Sequence, residues 1–176
     1  ASDLARDHPG PSDIASNSEI NAFLDEAAAA TETIVDREFL KDEWHLIVDA
    51  WNVLDIATYR NLPRLGRKVR MAASKRDEVW SVFEHVRSAM RAAEKETEAG
   101  LMHRLAASVL KSPFSHVVVD EAQDISVPEL HLLAALAGER ANGLFFAGDI
   151  GQRIFRAAFP WKSVGVDIQG RSRSLK

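Results

Sequence analysis

Residues 116–124 read His116-Val117-Val118-Val119-Asp120-Glu121-Ala122-Gln123-Asp124, and residues 144–149 read Leu144-Phe145-Phe146-Ala147-Gly148-Asp149. Each is a short apolar run, β-branched or aromatic, that leads into an acid. Continuous apolar runs of this length predict parallel strands buried on both faces. Between them, Ser126 and Glu129 have capping-box spacing and Pro128 falls in the first turn. Leu130, Leu133, Ala134 and Ala137 then line a helix that Gly138 stops. Strand, helix, strand is a βαβ unit, so the fold class is read as α/β. In open parallel sheets ligands sit beyond the carboxyl ends of the strands, which puts Asp120, Glu121 and Asp149 on one expected rim. Carboxylates there suit Mg²⁺, and a second acid beside the metal ligand can draw a proton from an attacking water. An acid pair alone also has a purely structural reading, as acids attracted to a helix N-terminus.

Upstream the texture differs. Residues 1–15 hold Pro9, Gly10 and Pro11 without any period and read as a loose leader. Ser16 and Glu19 predict a capping box, and Ile20, Phe23, Leu24, Ala27 and Ala28 a helix to about Val35. Leu40, Trp44, Ile47, Val48 and Trp51 form a second apolar stripe, closed by Pro63. Ser74 with Asp77 is a candidate cap for a helix carrying Val79, Phe83, Val86, Met90 and Ala93 to about Ala99, with Gly100 as the break. A shorter helix from Leu101 to Leu110 ends before Pro113. The expected organisation is a leader (1–15), a helical region (16–112) and part of an α/β region (113–176).

The composition, 46% hydrophobic and 27% charged, is that of a folded globular chain and excludes wholesale disorder. No apolar run approaches a membrane span, and the opening residues lack the segments of a secretory signal. The absence of cysteine removes disulfides, zinc thiolate sites and a cysteine nucleophile, and fits a reducing cytoplasm. Net charge is −4, but residues 1–59 carry 13 acids against 3 bases, while residues 60–99 carry 10 bases against 6 acids. The run from Arg60 to Arg76 holds seven bases and no acid, either a phosphate-tracking patch or a solvated turn between helices. Six histidines show no metal-ligand spacing.

The longer strings carry a resemblance. Val117-Val118-Val119-Asp120-Glu121-Ala122-Gln123-Asp124 resembles motif II, the Walker B segment, of UvrD/Rep-like superfamily I DNA helicases. Phe146-Ala147-Gly148-Asp149-Ile150-Gly151-Gln152-Arg153-Ile154-Phe155 resembles their motif III, and Gly170–Lys176 looks like the approach to motif IV. The likeness is tight over 113–176 and looser over Tyr59–Leu110. It implies an accessory helical subdomain inserted in the first motor domain, followed by part of a RecA-like P-loop NTPase sheet. The implied activity is ATP-dependent: Mg-ATP hydrolysis drives translocation on single-stranded or partly duplex DNA, in a cytoplasmic DNA-repair type of enzyme. By the same resemblance, Asp120 would hold Mg²⁺ through water, Glu121 would be the catalytic base, and Gln152 would contact the γ-phosphate or its water. Asp149 would support that loop. Gln123 and Asp124 would link the nucleotide site to neighbouring motifs, although Asp124 also suits a helix cap beside Ser126.

For nucleic acid the candidates are Trp161, with Lys162 beside it, and Arg64, Arg67 and Lys68 from the basic run. UvrD-like helicases stack a tryptophan on a base at about this point, here a few residues later than usual; Phe155, Phe159 and a core role for the ring are the alternatives. No Gly-Lys dipeptide occurs, so the phosphate-binding loop G-x-x-x-x-G-K-[ST] is missing. The chain is therefore expected to be part of a larger helicase, inactive by itself and partnered by the remainder of that chain. Two rivals stand beside this reading: a helical DNA- or protein-docking module with idle ATPase motifs, and a free-standing Mg²⁺-dependent nuclease or phosphatase. The latter lacks the further carboxylates that two-metal chemistry needs.

Overall fold

The computed structural model describes residues 11, 13–62, 71–149, 161–167, 170 and 173. The described residues are mostly helical with two small parallel sheets, and the chain divides into two units, Ala1–Leu101 and Met102–Lys176.

In the first unit, β1 (Asp13–Ile14) precedes α1 (Asn17–Ala30), which starts at the expected capping box: the Glu19 amide donates to Ser16 Oγ at 3.3 Å and the Ser16 amide to Glu19 Oε2 at 2.8 Å. Helix α2 (Arg37–Glu43), capped by Asp36, widens into a π-helical segment, Trp44–Asp49. That widening keeps Leu40, Trp44, Ile47 and Val48 all buried on one stripe. Helix α3 (Ile56–Asn61) is capped by Asp55, and α4 (Ala73–Ala92) is the long central helix. The core joins Trp44, Tyr59, Trp80 and Phe83, with ring centroids 5.6 Å apart for Trp44–Phe83 and 5.3 Å for Tyr59–Trp80. Inside it, the fully buried Glu43 accepts from Tyr59 Oη at 2.9 Å.

Four expectations are corrected here. Asp13–Ile14, read as leader, pair in parallel with β2 (Lys95–Glu96), and Lys95 Nζ ties Asp13 and Glu19 at 2.8 and 2.5 Å. Ser74 is not the cap of α4, whose N-cap is Ala72, with no side-chain capping hydrogen bond; Asp77 instead pairs with Arg60. Helix α4 ends at Ala92 instead of Ala99. Gly100 is not a break but lies in the first turn of α5 (Glu98–Ser108), where its amide donates to Thr97 Oγ1 at 2.9 Å. A polar cap outweighed the helix-breaking tendency of one glycine.

The second unit contains β3 (Val117–Val119), a 3₁₀ turn at Ala122–Asp124, α6 (Val127–Ala137), β4 (Leu144–Phe146) and a 3₁₀ turn at Trp161–Val164. The strands pair in parallel, Val117 with Leu144 through Val119 with Phe146. Ser126 and Glu129 form the capping box of α6, and Gly138 ends it at φ +66°. The strands are not buried on both faces: register partners Val118 and Phe145 are 72% and 62% exposed. Only the alternate face packs, with Val119, Leu144 and Phe146 against Ile125 and Leu130.

Asp49 gives the first unit a pH signature. Thr97 Oγ1 donates to Asp49 Oδ1 at 2.6 Å while also capping α5, and burial pushes the Asp49 carboxyl up to about 6, against the Thr97 bond and the Arg87 charge. A raised acid pKa means the folded state holds the proton more tightly, so the contribution of Asp49 to stability is full below about pH 4 and is lost as pH rises through about 6. Asp49→Asn keeps an acceptor for Thr97 and removes this titration. Between pH 4 and 7.5, wild type should lose up to about 3 kcal/mol relative to the variant. Any constant offset from leaving Arg87 without its counter-charge drops out of that comparison. Denaturant melts of both proteins across this range check it, and parallel pH curves would exclude Asp49 as the group.

Candidate nucleotide site at the β3–β4 rim

The site is built by continuing the strand ladder past the strands. The Ala147 amide donates to Val119 O at 2.8 Å, and the Ala122 amide donates back to Ala147 O at 2.9 Å. Residues 120 and 121 are thus looped out between two fixed points. Glu121 makes that loop possible by adopting the left-handed conformation, φ 52° and ψ 40°, which is uncommon for a residue with a Cβ. Both acids emerge at the carboxyl end of the sheet and are exposed, with the Glu121 amide donating to Asp120 Oδ1 at 2.9 Å.

Gln123, only 8% exposed, sits beneath them. Its Nε2 donates to Glu121 Oε2 at 2.6 Å, and its Oε1 accepts from the Asp149 amide at 3.0 Å. Gly148 permits this contact. A Cβ there would stand 2.3 Å from Gln123 Oε1 and 2.8 Å from the Ala122 nitrogen, closer than any real contact. Asp120, Glu121, Gln123 and Asp149 are therefore brought together. Sequence reasoning paired the acids with the strand ends but did not see that Gly148 is required sterically, a feature visible only once the strands are in register.

Trp161 packs its ring edge-on to Phe146, centroids 4.6 Å apart, and is half-buried against the Ile125–Leu130 core. Lys162 is exposed and lies 3.5 Å from Asp167. Of the basic run, Arg60 and Arg76 make internal contacts: Arg60 pairs with Asp77, and Arg76 Nη1 donates to Arg60 O at 2.5 Å. Arg64, Arg67, Lys68 and Gln152 lie outside the described residues. The sequence also left unseen a histidine pair in this unit, His103 and His131, whose Nδ1 atoms are 3.1 Å apart so that one ring donates and the other accepts.

Among the described residues no three histidine or acidic side chains converge on a metal site. Mg²⁺ asks for less, since one or two carboxylates, waters and substrate phosphates suffice, and the exposed oxygens of Asp120 suit that role. No described helix is long and apolar enough to cross a membrane.

These features define a mixed helical and parallel-strand protein with an acidic rim at its strand ends. Residues 83–160 match the model of the UvrD/REP helicase N-terminal domain, so that stretch is similar to the UvrD/Rep-like helicases. Comparison with curated proteins and with solved structures finds no match.

Gly148→Ala should lower stability by about 1–3 kcal/mol, because the clash is with the Ala122 backbone as well as with the amide oxygen. Chemical denaturation followed by circular dichroism checks it; an unchanged midpoint would mean that the loop yields without cost.

Proposed function

We propose that this chain is part of the first, RecA-like motor domain of an ATP-dependent DNA helicase, which couples Mg-ATP hydrolysis to movement along single-stranded DNA and unwinding of duplex. The observation that supports this most is the Glu121 carboxylate, exposed beyond β3, beside the end of β4 and oriented by Gln123, within a stretch that matches a helicase family. Bound Mg²⁺ would neutralise charge on the transferring phosphoryl group. Asp120 would hold the ion through its waters. Glu121 would accept the proton of the attacking water, with its Oε2 already engaged by Gln123 and its other oxygen left to act. Asp149 supports the loop whose amide Gln123 grips, and Gln152 would contact the γ-phosphate.

On the DNA side, Trp161 would stack on a base while Lys162 contacts phosphate, and Arg64, Arg67 and Lys68 would track the backbone. The remainder of the helicase chain would supply the phosphate-binding loop. A docking module with idle motifs is a weaker reading, because an idle site has no need for a buried amide aimed at Glu121.

In the full-length protein, Glu121→Gln should leave ATP binding within a few-fold and cut turnover by roughly 10²–10⁴. Steady-state ATPase assays with a nucleotide-binding measurement decide it, and turnover within a few-fold of wild type removes Glu121 as the base. Trp161→Ala should weaken single-strand binding by about 1–3 kcal/mol with an unchanged salt slope, whereas Lys162→Ala should reduce that slope by about one counterion. Because Trp161 also packs on Phe146, affinity is compared with melting temperature: destabilisation with normal binding by the folded fraction assigns the ring to the core alone.

A further inference from the structure

We infer that Gln123 is a positioning residue for the proton acceptor, a single buried amide that orients Glu121 and locks it to the backbone that follows β4. The inference rests on the hydrolysis reading above. Its amide orientation is set by chemistry. The Asp149 amide can only donate, so the oxygen of Gln123 must face it, and the NH₂ group then falls against the Glu121 carboxylate. A flipped amide would set donor against donor and oxygen against carboxylate. Three further features serve the same contact. Glu121 takes the left-handed conformation that lets its side chain meet a residue only two positions later. Gln123 is buried on a 3₁₀ turn whose first amide is tied to Ala147 O, so it cannot drift. Gly148 leaves out the one atom that would fill the amide's place.

The consequence is mechanical. One Glu121 oxygen is held and the other is left to meet water, and any displacement of Gly148–Asp149 is transmitted through the amide to the carboxylate. Ground-state nucleotide binding does not involve this contact, so its loss should appear in kcat and not in KM.

The test uses the full-length helicase. Gln123→Met matches the shape and removes both hydrogen bonds; Gln123→Glu keeps the acceptor for Asp149 and replaces the donor facing Glu121. Both should lower kcat for ATP by roughly tenfold or more with KM within twofold. In single-turnover assays, Gln123→Met should cost less than about twofold when Glu121 is already Gln, because two residues that act through one group are non-additive. A tenfold drop that persists in the Glu121→Gln background, or a rise in KM alone, overturns the inference in favour of a merely structural amide. Wild-type kcat in both Gln123 variants also overturns it, even with Glu121→Gln inactive. An active Glu121→Gln enzyme would instead remove the base reading itself. Melting temperatures separate a folding loss, and Gln123→Glu decides the matter if Gln123→Met does not fold.

Discussion

The parallel pairing of Val117–Val119 with Leu144–Phe146 constrains everything else at the rim. Parallel strands place their carboxyl ends side by side, so the two acidic stretches that follow have no choice but to meet. Two more backbone bonds, Ala147 to Val119 and Ala122 to Ala147, extend the ladder past the strands and leave Asp120 and Glu121 looped out between them. The left-handed backbone at Glu121 is the local cost of that loop, roughly 1–2 kcal/mol. Strain of this kind persists only where the surroundings over-determine it, and here a ladder bond, a 3₁₀ turn and a buried amide do so.

The same principle, a buried polar side chain held by a specific polar contact, recurs in the first unit. Tyr59 donates to the fully buried Glu43 between aromatic rings, and Thr97 joins Asp49 to the first turn of α5. Arg87 lies over the Trp44 ring and donates to Val53 O, so its cation is held by a π face and a carbonyl. Burying a polar group unpaired is costly, so each pairing selects one arrangement of the helices over nearby alternatives. These polar contacts give direction to a core whose driving force comes from the aliphatic and aromatic stripes.

The sheet face carrying Val118 and Phe145 shows how a sound sequence rule can mislead. An unbroken apolar run does predict burial on both faces when helices cover both. Among the described residues α6 covers only the face of Val119, Leu144 and Phe146, so the alternate residues stand in solvent. The run itself holds no information about which layer is present.

Legible in the sequence alone were the elements and chemistry that depend on near neighbours. The capping boxes at Ser16 and Ser126, the stop at Gly138 and the two acid-tipped strands all rest on spacings of a few residues, and the helicase resemblance rests on two such strings. Ser74 was misread because Asp77 pairs with Arg60, a contact outside its own turn, whereas at Gly100 the helix-breaking tendency was weighed without the local cap that Thr97 supplies three residues earlier. Only the tertiary structure decided that Asp13–Ile14 join Lys95–Glu96, that Asp49 meets Thr97, and that Gln123 spans from Glu121 to Asp149 past a glycine with no room for a Cβ. The physical reason is common to all three. A hydrogen bond between residues far apart in sequence leaves no periodicity, and a steric gap exists only after two strands are set in register.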